Sequence, residues 1–309
     1  MTAVLTHETG RRIAFDAERN RLAGIGALFA LPATLLIVLL VLAPIACVLM
    51  MSVTDYQLAA TSFRFIGLGN YAKALADPEA LRALRNTLVY VAVMAPVSVG
   101  LGLLLALLLN RRRRSRRFYE VLFFLPVTST LVAMSVVFQY LLHGRIGPLN
   151  AMLAGLGLPR MDFLTDPKLA LGALIAIGIW KQAGFNMVLF LAGLTAIPRD
   201  VQEAADLDGA DGAIDRFLRI TWPLLAPTTL FVTVTTAITA FQVFDTVAVL
   251  TEGGPSGATD VLLYKIYLEG FQFFEIGYAS ALAIIFLLLI AGLSLLQFRL
   301  VDRRVHYGG

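Results

Sequence analysis

Six long apolar segments, separated by polar stretches, dominate the pattern of hydrophobic and polar positions along the chain. They cover residues 22–52, 87–110, 118–142, 169–197, 224–250 and 276–298. Each has the roughly 20 residues that an α-helix needs to cross the hydrocarbon core of a bilayer. Helices also satisfy their own backbone hydrogen bonds in lipid. The pattern therefore predicts an all-α, polytopic membrane protein with six transmembrane helices.

The polar ends divide the chain into one membrane domain and two short tails. Residues 1–21 are predicted to form an N-terminal segment, residues 22–299 the transmembrane domain, and residues 300–309 a C-terminal tail. The first apolar segment is longer than the apolar region of a signal peptide, so we interpret it as an uncleaved anchor.

The composition supports a membrane protein and excludes several kinds of site. Hydrophobic residues make up 58% of the chain and charged residues 15%, with a mean hydropathy of +0.79. Soluble domains carry about 25% charged residues. Cys47 is the only cysteine, and the three histidines are far apart in sequence, so no metal site and no disulfide is predicted. No lysine follows a glycine, which excludes a Walker-type phosphate-binding loop on this chain.

The distribution of Lys and Arg predicts the orientation. If the N-terminus is inside, the inner segments contain sixteen of these residues and the outer segments eight. This bias places both termini and the segment 198–223 in the cytoplasm. The six arginines of residues 111–117 are then a topological anchor. Nucleic-acid binding would require interleaved aromatic residues and a soluble fold, so it is not predicted.

The longest polar interruption in the second half of the chain lies at residues 198–223, called the coupling segment below. Pro198 suits the first turn of a helix, and Asp200 and Glu203 lie where the helix dipole favours negative charge. Gly209 can end this helix. A helix of about ten residues is marginal alone in water, so we expect it to dock on another protein.

The coupling segment resembles the EAA loop of ABC importer permeases. The resemblance rests on Glu203-Ala204-Ala205, Gly209, Ile220 and Pro223, and the outer stretches 65–71, 162–167 and 251–255 resemble sugar-type members of the family. It implies the type I importer permease fold and a coupling helix that sits in a groove on a separate ATPase subunit. The residues implied to couple to the ATPase are Glu203, Ala204, Ala205, Asp208 and Gly209.

The resemblance also implies an assembly in the inner membrane. Its expected partners are a second permease subunit, giving a heterodimer, an ATPase dimer, and an extracytoplasmic solute-binding protein that delivers a sugar. ATP and Mg²⁺ would bind the ATPase, so no cofactor and no catalytic residue is expected on this chain.

Polar and aromatic side chains within the fourth and fifth apolar segments are candidates for the substrate pathway. Amide and carboxylate groups beside aromatic rings can bind the hydroxyls and the apolar faces of a sugar. These candidates are Gln182, Phe185, Asn186, Thr239, Phe241, Gln242 and Asp245. The alternative is that the polar residues join helices to one another, as they do in many membrane proteins.

The expected substrate is a neutral sugar or an oligosaccharide. Lys181 is the only basic residue inside an apolar segment, whereas phosphate recognition usually relies on Arg or Lys. An importer of glycerol 3-phosphate or glycerophosphodiesters is the alternative. A secondary transporter would be expected to show paired broken helices with ion-coupling acids, and a membrane enzyme would need a catalytic constellation; neither pattern is found.

Overall fold

The computed structural model describes residues 26, 28–110, 112, 116–198, 200 and 212–302. The described residues are mostly helical. The helices used below are α1 (Leu28–Ser52), α2 (Gly69–Ala76), α3 (Pro78–Asn110), α4 (Arg116–Thr128), α5 (Leu131–Leu141), α6 (Pro148–Gly155), α7 (Ala170–Thr195), α8 (Ala226–Phe241), α9 (Asp245–Leu250), α10 (Leu262–Tyr267) and α11 (Ile276–Asp302).

The predicted polytopic helical fold is confirmed, with five separate spans in the part of the chain that the structure describes and a sixth where the bent pair of α4 and α5 counts as one. Within the described residues, five helical segments are long and apolar enough to cross a membrane: α1, α3, α7, α8 with α9, and most of α11. The bent pair of α4 and α5 makes the sixth span. Each of the six corresponds to one of the apolar segments predicted from the sequence.

The second span begins earlier than its apolar run indicates. Helix α3 has 33 residues and is about 50 Å long at 1.5 Å per residue, against roughly 30 Å of hydrocarbon. Pro78 opens the helix, and the backbone N–H of Glu79 donates to Asp77 Oδ1 at 2.9 Å. The capped first turns therefore extend out of the membrane, and the apolar part follows from residue 87 onward.

The third span is broken by a bend of 102° between α4 and α5. Pro126, in the last turn of α4, cannot donate a backbone hydrogen bond, and prolines are a common cause of sharp kinks. The hydroxyls of Thr128 and Ser129 both donate to the carbonyl of Leu125, at 2.8 and 3.3 Å. Such side-chain hydrogen bonds help a kinked helix to remain satisfied in lipid.

Helices α3 and α7 form the centre of the bundle, and small residues let them approach closely. A Cβ atom added at Gly102 of α3 would lie 2.5 Å from Asn186 Cβ of α7. Larger side chains fill the spaces on either side of this contact. Phe190, Phe241, Leu174 and Met187 are all fully buried there. Because the hydrophobic effect does not drive helices together within lipid, close packing of small residues stabilises their association instead.

Helix α1 lies at the edge of the bundle. The apolar window of this helix has no buried residue, whereas 56% of the window in α7 is buried. It is joined to the bundle mainly at its C-terminal end, where Asn70 Nδ2 donates to the carbonyls of Ser52 and Thr54 at 2.9 and 2.8 Å. The remaining face of α1 is free to meet lipid or another subunit.

The connecting segments 53–77, 142–169 and 251–275 lie at one end of the bundle, called the loop end below. Leu58 N–H donates to the carbonyl of Phe274 at 2.9 Å, and Gly277 N–H donates to the carbonyl of Tyr56 at 2.8 Å. Leu250 and Asp162 line the same pocket. The coupling segment joins the opposite ends of α7 and α8, so it belongs to the other end of the bundle.

Candidate functional site

A group of polar side chains is buried where α3, α7 and α8 meet. Asn186 Oδ1 accepts hydrogen bonds from Thr236 Oγ1 at 2.9 Å and from Gln182 Nε2 at 3.3 Å. Asn186 and Thr236 are fully buried, and Gln182 is 8% exposed. The structure thus brings together two of the predicted pathway residues, Gln182 and Asn186, on one helix face, as their spacing indicates.

The burial of this group favours the helix-packing interpretation. Asn186 Nδ2 is buried and has no hydrogen-bond partner among the described residues. A buried donor without a partner costs about 1–3 kcal/mol. Gly102 packs directly against Asn186, which leaves no room for a sugar between α3 and α7. A direct substrate contact by Gln182 or Asn186 stays a prediction, and in this conformation neither side chain reaches an open surface.

Span five presents a second polar group on an exposed face. Thr239, Gln242 and Asp245 are all exposed. Thr239 Oγ1 donates to the carbonyl of Thr235 at 2.9 Å, a bond within its own helix. Neither the Gln242 amide nor the Asp245 carboxylate bonds through its side chain to any other described residue. These two side chains are therefore free to bind a solute or a partner.

The helix of span five is interrupted beside these residues. Helix α8 ends at Phe241 and α9 begins at Asp245, with Phe244 at φ −143° and ψ −60° between them. Transporters commonly build solute sites from interrupted helices at membrane depth. The interruption places Gln242 and Asp245 at the two edges of a non-helical turn.

The two aromatic candidates have different surroundings. Phe241 is 1% exposed and packs edge-to-face on Phe286, with ring centroids 6.4 Å apart. Phe185 is 36% exposed on α7. Phe241 can therefore only pack behind residues that line a pathway and cannot contact a solute itself. Phe185 is exposed enough to contact a solute directly.

Lys181 lies half-buried near the middle of α7. No carboxylate of the described residues forms an ion pair with it. A lysine at the centre of a span costs about 2.5–3.5 kcal/mol on insertion scales, so such residues usually face a cavity or a partner.

A buried ionic network, missed by the sequence analysis, holds the loop end together. The Lys265 side chain is 5% exposed, and its Nζ lies 2.7 Å from Glu79 and 2.9 Å from Glu269. Nearby, Asn86 Nδ2 donates to the carbonyls of Gly257 and Asp260 at 3.1 and 2.9 Å. We call Glu79, Asn86, Asp260, Lys265 and Glu269 the loop-end clasp. The one sequence signal was a lysine inside the apolar run 261–268.

The surroundings of the clasp shift the pKa of two of its members. Burial raises the pKa of Asp260 to about 6, against smaller opposing effects of Lys265 and Arg82, and its Oδ1 has no hydrogen-bond partner among the described residues. Burial would lower the pKa of Lys265, but hydrogen bonds to Glu79 and Glu269 outweigh it and raise that pKa. Lys265 thus stays charged, and Asp260 is the member that titrates near neutral pH.

The residues predicted to couple to an ATPase lie outside the described residues. These are Glu203, Ala204, Ala205, Asp208 and Gly209. The chain beyond them is helical over residues 213–224, with Asp215 and Arg219 paired at 2.7 Å, and it continues into α8. A movement of this end of the coupling segment would therefore be transmitted directly to span five.

Several apolar spans, of which the fifth is interrupted at exposed polar residues, are typical of membrane transport proteins of the permease class. Residues 98–307 match the family described as binding-protein-dependent transport system inner membrane component. The chain belongs to this family and is a permease subunit of an ABC importer, a multi-pass membrane protein.

Curated relatives place the chain beside permeases of one kind. It is 37% identical over 250 residues to the sn-glycerol-3-phosphate transport system permease protein UgpA of Agrobacterium fabrum, covering 80% of this chain and 84% of the relative. The UgpA protein of Yersinia pestis is 34% identical over 249 residues, covering 80% and 83%.

Solved structures share the fold. A chain of a bacterial ABC transporter involved in the import of the acidic polysaccharide alginate aligns with a TM-score of 0.79 at 24% identity, covering 94% of this chain and 99% of that one. A chain of the MetNI methionine ABC transporter aligns with a TM-score of 0.56 at 15% identity, covering 73% and 96%. These similarities confirm the type I importer permease fold.

Proposed function

We propose that this subunit forms, together with a second permease subunit, the membrane pathway for a sugar or oligosaccharide. The exposed polar face at the interruption of span five is the observation that carries the proposal. An amide and a carboxylate without partners, exposed within a membrane span, would be costly against lipid, so this face must line a water-filled pathway or meet another subunit.

The proposal places the loop end outside the cytoplasm and both termini inside. The loop end would receive solute from an extracytoplasmic binding protein. One of the similar structures is a bacterial alginate ABC transporter in complex with an alginate pentasaccharide-bound periplasmic protein. A comparable docking partner for this chain is supported by its membership of the binding-protein-dependent family.

ATP hydrolysis is assigned to a separate ATPase dimer. The coupling helix around Glu203 and Gly209 would sit in a groove of that dimer and move when ATP closes it. The helical segment 213–224 runs into α8 without a long linker, so the movement would displace span five and its polar face. This chain needs no nucleotide, Mg²⁺ or other cofactor of its own in that scheme.

Glycerol 3-phosphate is the second candidate solute. The curated relatives carry that name, and Lys181 supplies a positive charge in span four without an acidic partner among the described residues. A lysine is a common partner of phosphate groups. Transport assays with a neutral disaccharide and with glycerol 3-phosphate separate the two candidates.

The test of the pathway is Gln242→Leu in the complete importer, reconstituted in liposomes with its binding protein. Loss of a hydrogen bond to the solute, without loss of volume, is expected to reduce solute uptake about tenfold. Leu288→Ala serves as the control, because Leu288 is 65% exposed on α11 and apolar. Unchanged uptake by Gln242→Leu would contradict the assigned pathway.

A further inference from the structure

A pocket of about 460 Å³ opens at the loop end, between the C-terminal end of α5, the segment 142–145, the segment 162–165 and the last residue of α9. Its size lies within the range of small-molecule sites. Polar and aromatic side chains contribute to its lining. They are Gln139, His143, Arg145, Asp162, Phe163 and Thr165.

The local backbone shapes this pocket. His143 Nδ1 accepts the backbone N–H of Arg145 at 3.2 Å, so the proton of the neutral imidazole is on Nε2. A Cβ atom at Gly144 would lie 1.8 Å from Asp162 Oδ1, so the carboxylate rests against the glycine backbone. Gln139 Nε2 donates to the carbonyl of Val249 at 3.0 Å, which ties α5 to the outer half of span five.

These bonds leave a set of donors and acceptors without protein partners. Among the described residues, none bonds to His143 Nε2, to the Arg145 guanidinium, to Gln139 Oε1 or to the Asp162 carboxylate. Phe163 adds an apolar ring to the same wall. Paired donors and acceptors next to an aromatic ring match the hydroxyls and the apolar face of a sugar ring.

The position of the pocket connects it with the proposed pathway. Leu250 lines the pocket and is the last residue of α9. Helix α9 begins at Asp245, directly after the interruption of span five. Five residues of helix correspond to about 8 Å along the axis. A solute held in the pocket would therefore lie roughly one and a half helical turns above the polar face of span five.

We propose that this pocket is an outer solute site, which holds one ring of a polyhydroxylated solute before it reaches Gln242 and Asp245. The inference rests on the proposed function, because it needs a solute arriving at the loop end. The Arg145 guanidinium and His143 Nε2 donate to the solute, and Gln139 Oε1 and the Asp162 carboxylate accept from its hydroxyls.

Cys47 is the only cysteine of the chain, so once it is replaced, a cysteine introduced elsewhere is the only thiol of this subunit that can be labelled. Thr165→Cys, at a lining residue to which no solute contact is assigned, is prepared in a Cys47→Ala background and the complete importer is reconstituted in liposomes. Uptake of maltose, trehalose and glycerol 3-phosphate by the Cys47→Ala complex first identifies a transported solute. Uptake of none of the three would contradict the proposed function, and with it the outer solute site.

The transported solute, without binding protein, is then tested for protection of the thiol in Thr165→Cys against a membrane-impermeant thiol reagent. Because a solute bound in the pocket would lie against this thiol, saturating solute is expected to slow labelling about fivefold. Arg64→Cys at the same end, whose parent side chain is 87% exposed, is the control and should label at an unchanged rate.

Two results would overturn the inference while leaving the pathway assignment standing. The first is transport without any protection of the Thr165→Cys thiol by solute. The second is protection by solute-free binding protein alone, which would mark the pocket as a protein docking surface. A complementary variant, Asp162→Asn, is expected to raise the KM for solute about tenfold while the half-saturating concentration of binding protein stays constant.

Discussion

Single residues at the loop end show how a buried charge is stabilised by partners from different elements. Lys265 is buried, yet it pairs with two carboxylates from different elements, Glu79 of α3 and Glu269 after α10. Gly257, at φ +75°, lets the loop backbone lie against the Arg82 guanidinium, which a Cβ atom would meet at 2.5 Å. The clasp therefore adds charge and hydrogen bonding to the apolar contacts that join the outer end of span two to the segment 251–275 and to span six.

Replacing Lys265 tests the contribution of the clasp to stability. Lys265→Met keeps the length of the side chain but leaves Glu269 buried without its cation. Breaking a buried ion pair on one side is expected to destabilise the protein by about 3–5 kcal/mol. Thermal unfolding of the purified complex measures this loss.

Lys73→Met is the matched control, since Lys73 pairs with Glu275 at the same end but is 48% exposed. Exposed ion pairs contribute about 0–1 kcal/mol. Equal loss of stability in the two variants would contradict the buried role of Lys265.

The raised pKa of Asp260 predicts a pH dependence of stability. Its folded-state pKa of about 6 exceeds the ordinary value of 3.8, so the folded protein binds this proton more tightly than the unfolded chain. The resulting stability is fully present below pH 3.8 and is lost as pH rises through 6. Asp260→Asn is therefore expected to be more stable than the wild type at pH 7.5, by about 1–3 kcal/mol, and to keep only about half of this advantage at pH 5.

The measurement is the difference in unfolding temperature between variant and wild type at the two pH values. Glu252→Gln, an exposed acid in the same loop, is the control and should show no such gain at pH 7.5. A constant difference for Asp260→Asn across the pH range would refute the assignment.

At the scale of elements, the sequence predicted the spans better than their interiors. Runs of 20 or more apolar residues identify membrane helices from length alone. The bend of the third span depends on Pro126 and on the hydrogen bonds that Thr128 and Ser129 form with the Leu125 carbonyl. A Pro within an apolar run does not by itself show whether the helix is kinked or broken. The spacing of Gln182 and Asn186 placed them on one face, but polar residues are used both in helix contacts and in pathways, so the direction of that face needed the structure.

The packing of α3 on α7 gives a prediction at this scale. In Gly102→Ala, the added methyl group would meet Asn186 Cβ at 2.5 Å and the Met187 backbone nitrogen at 3.0 Å. Separation of the two helices is expected to cost about 1–3 kcal/mol. Unfolding in a graded denaturant measures the change.

Gly100→Ala is the matched control in the same helix, because no atom lies within 4 Å of its added methyl group. A helix interior gains about 0.5–1 kcal/mol when Gly becomes Ala, so this control should be neutral or more stable. Stabilisation by both substitutions would show that α3 and α7 are not in close contact at Gly102.

At the scale of the whole molecule, the two ends have different tasks in the proposed cycle. The loop end is tied together by hydrogen bonds and ion pairs, while at the opposite end the helical residues 213–224 lead into span five. The distribution of Lys and Arg and the EAA-like motif place the coupling segment in the cytoplasm, which stays a prediction. The sequence did not predict the loop-end clasp, because its members are up to 190 residues apart in the chain.

The coupling proposal predicts a loss of communication in Gly209→Asp. A bulky, charged residue at the end of the coupling helix should prevent its fit to the ATPase. Solute-stimulated ATPase activity is expected to fall by about 5- to 150-fold, the usual range of coupling between sites, while membrane insertion is retained.

Gly212→Ala is the control within the same segment, since its added methyl group would meet only ordinary contacts of 3.7 Å or more. Normal transport by Gly209→Asp would contradict a coupling role for this segment. Loss of insertion together with activity would be seen by quantifying the protein in the membrane fraction.

The bent third span also has a consequence for how the chain is made. Helices α4 and α5 have 13 and 11 residues, about 20 and 16 Å at 1.5 Å per residue, so neither half crosses the bilayer alone. The bent pair of α4 and α5 is therefore expected to need another helix of the protein to pack against when it enters the lipid. Gly184 of α7, whose added Cβ would lie 1.9 Å from the Phe123 carbonyl oxygen, shows that helix to be span four. During biosynthesis, the third and fourth spans should therefore enter the lipid as a pair.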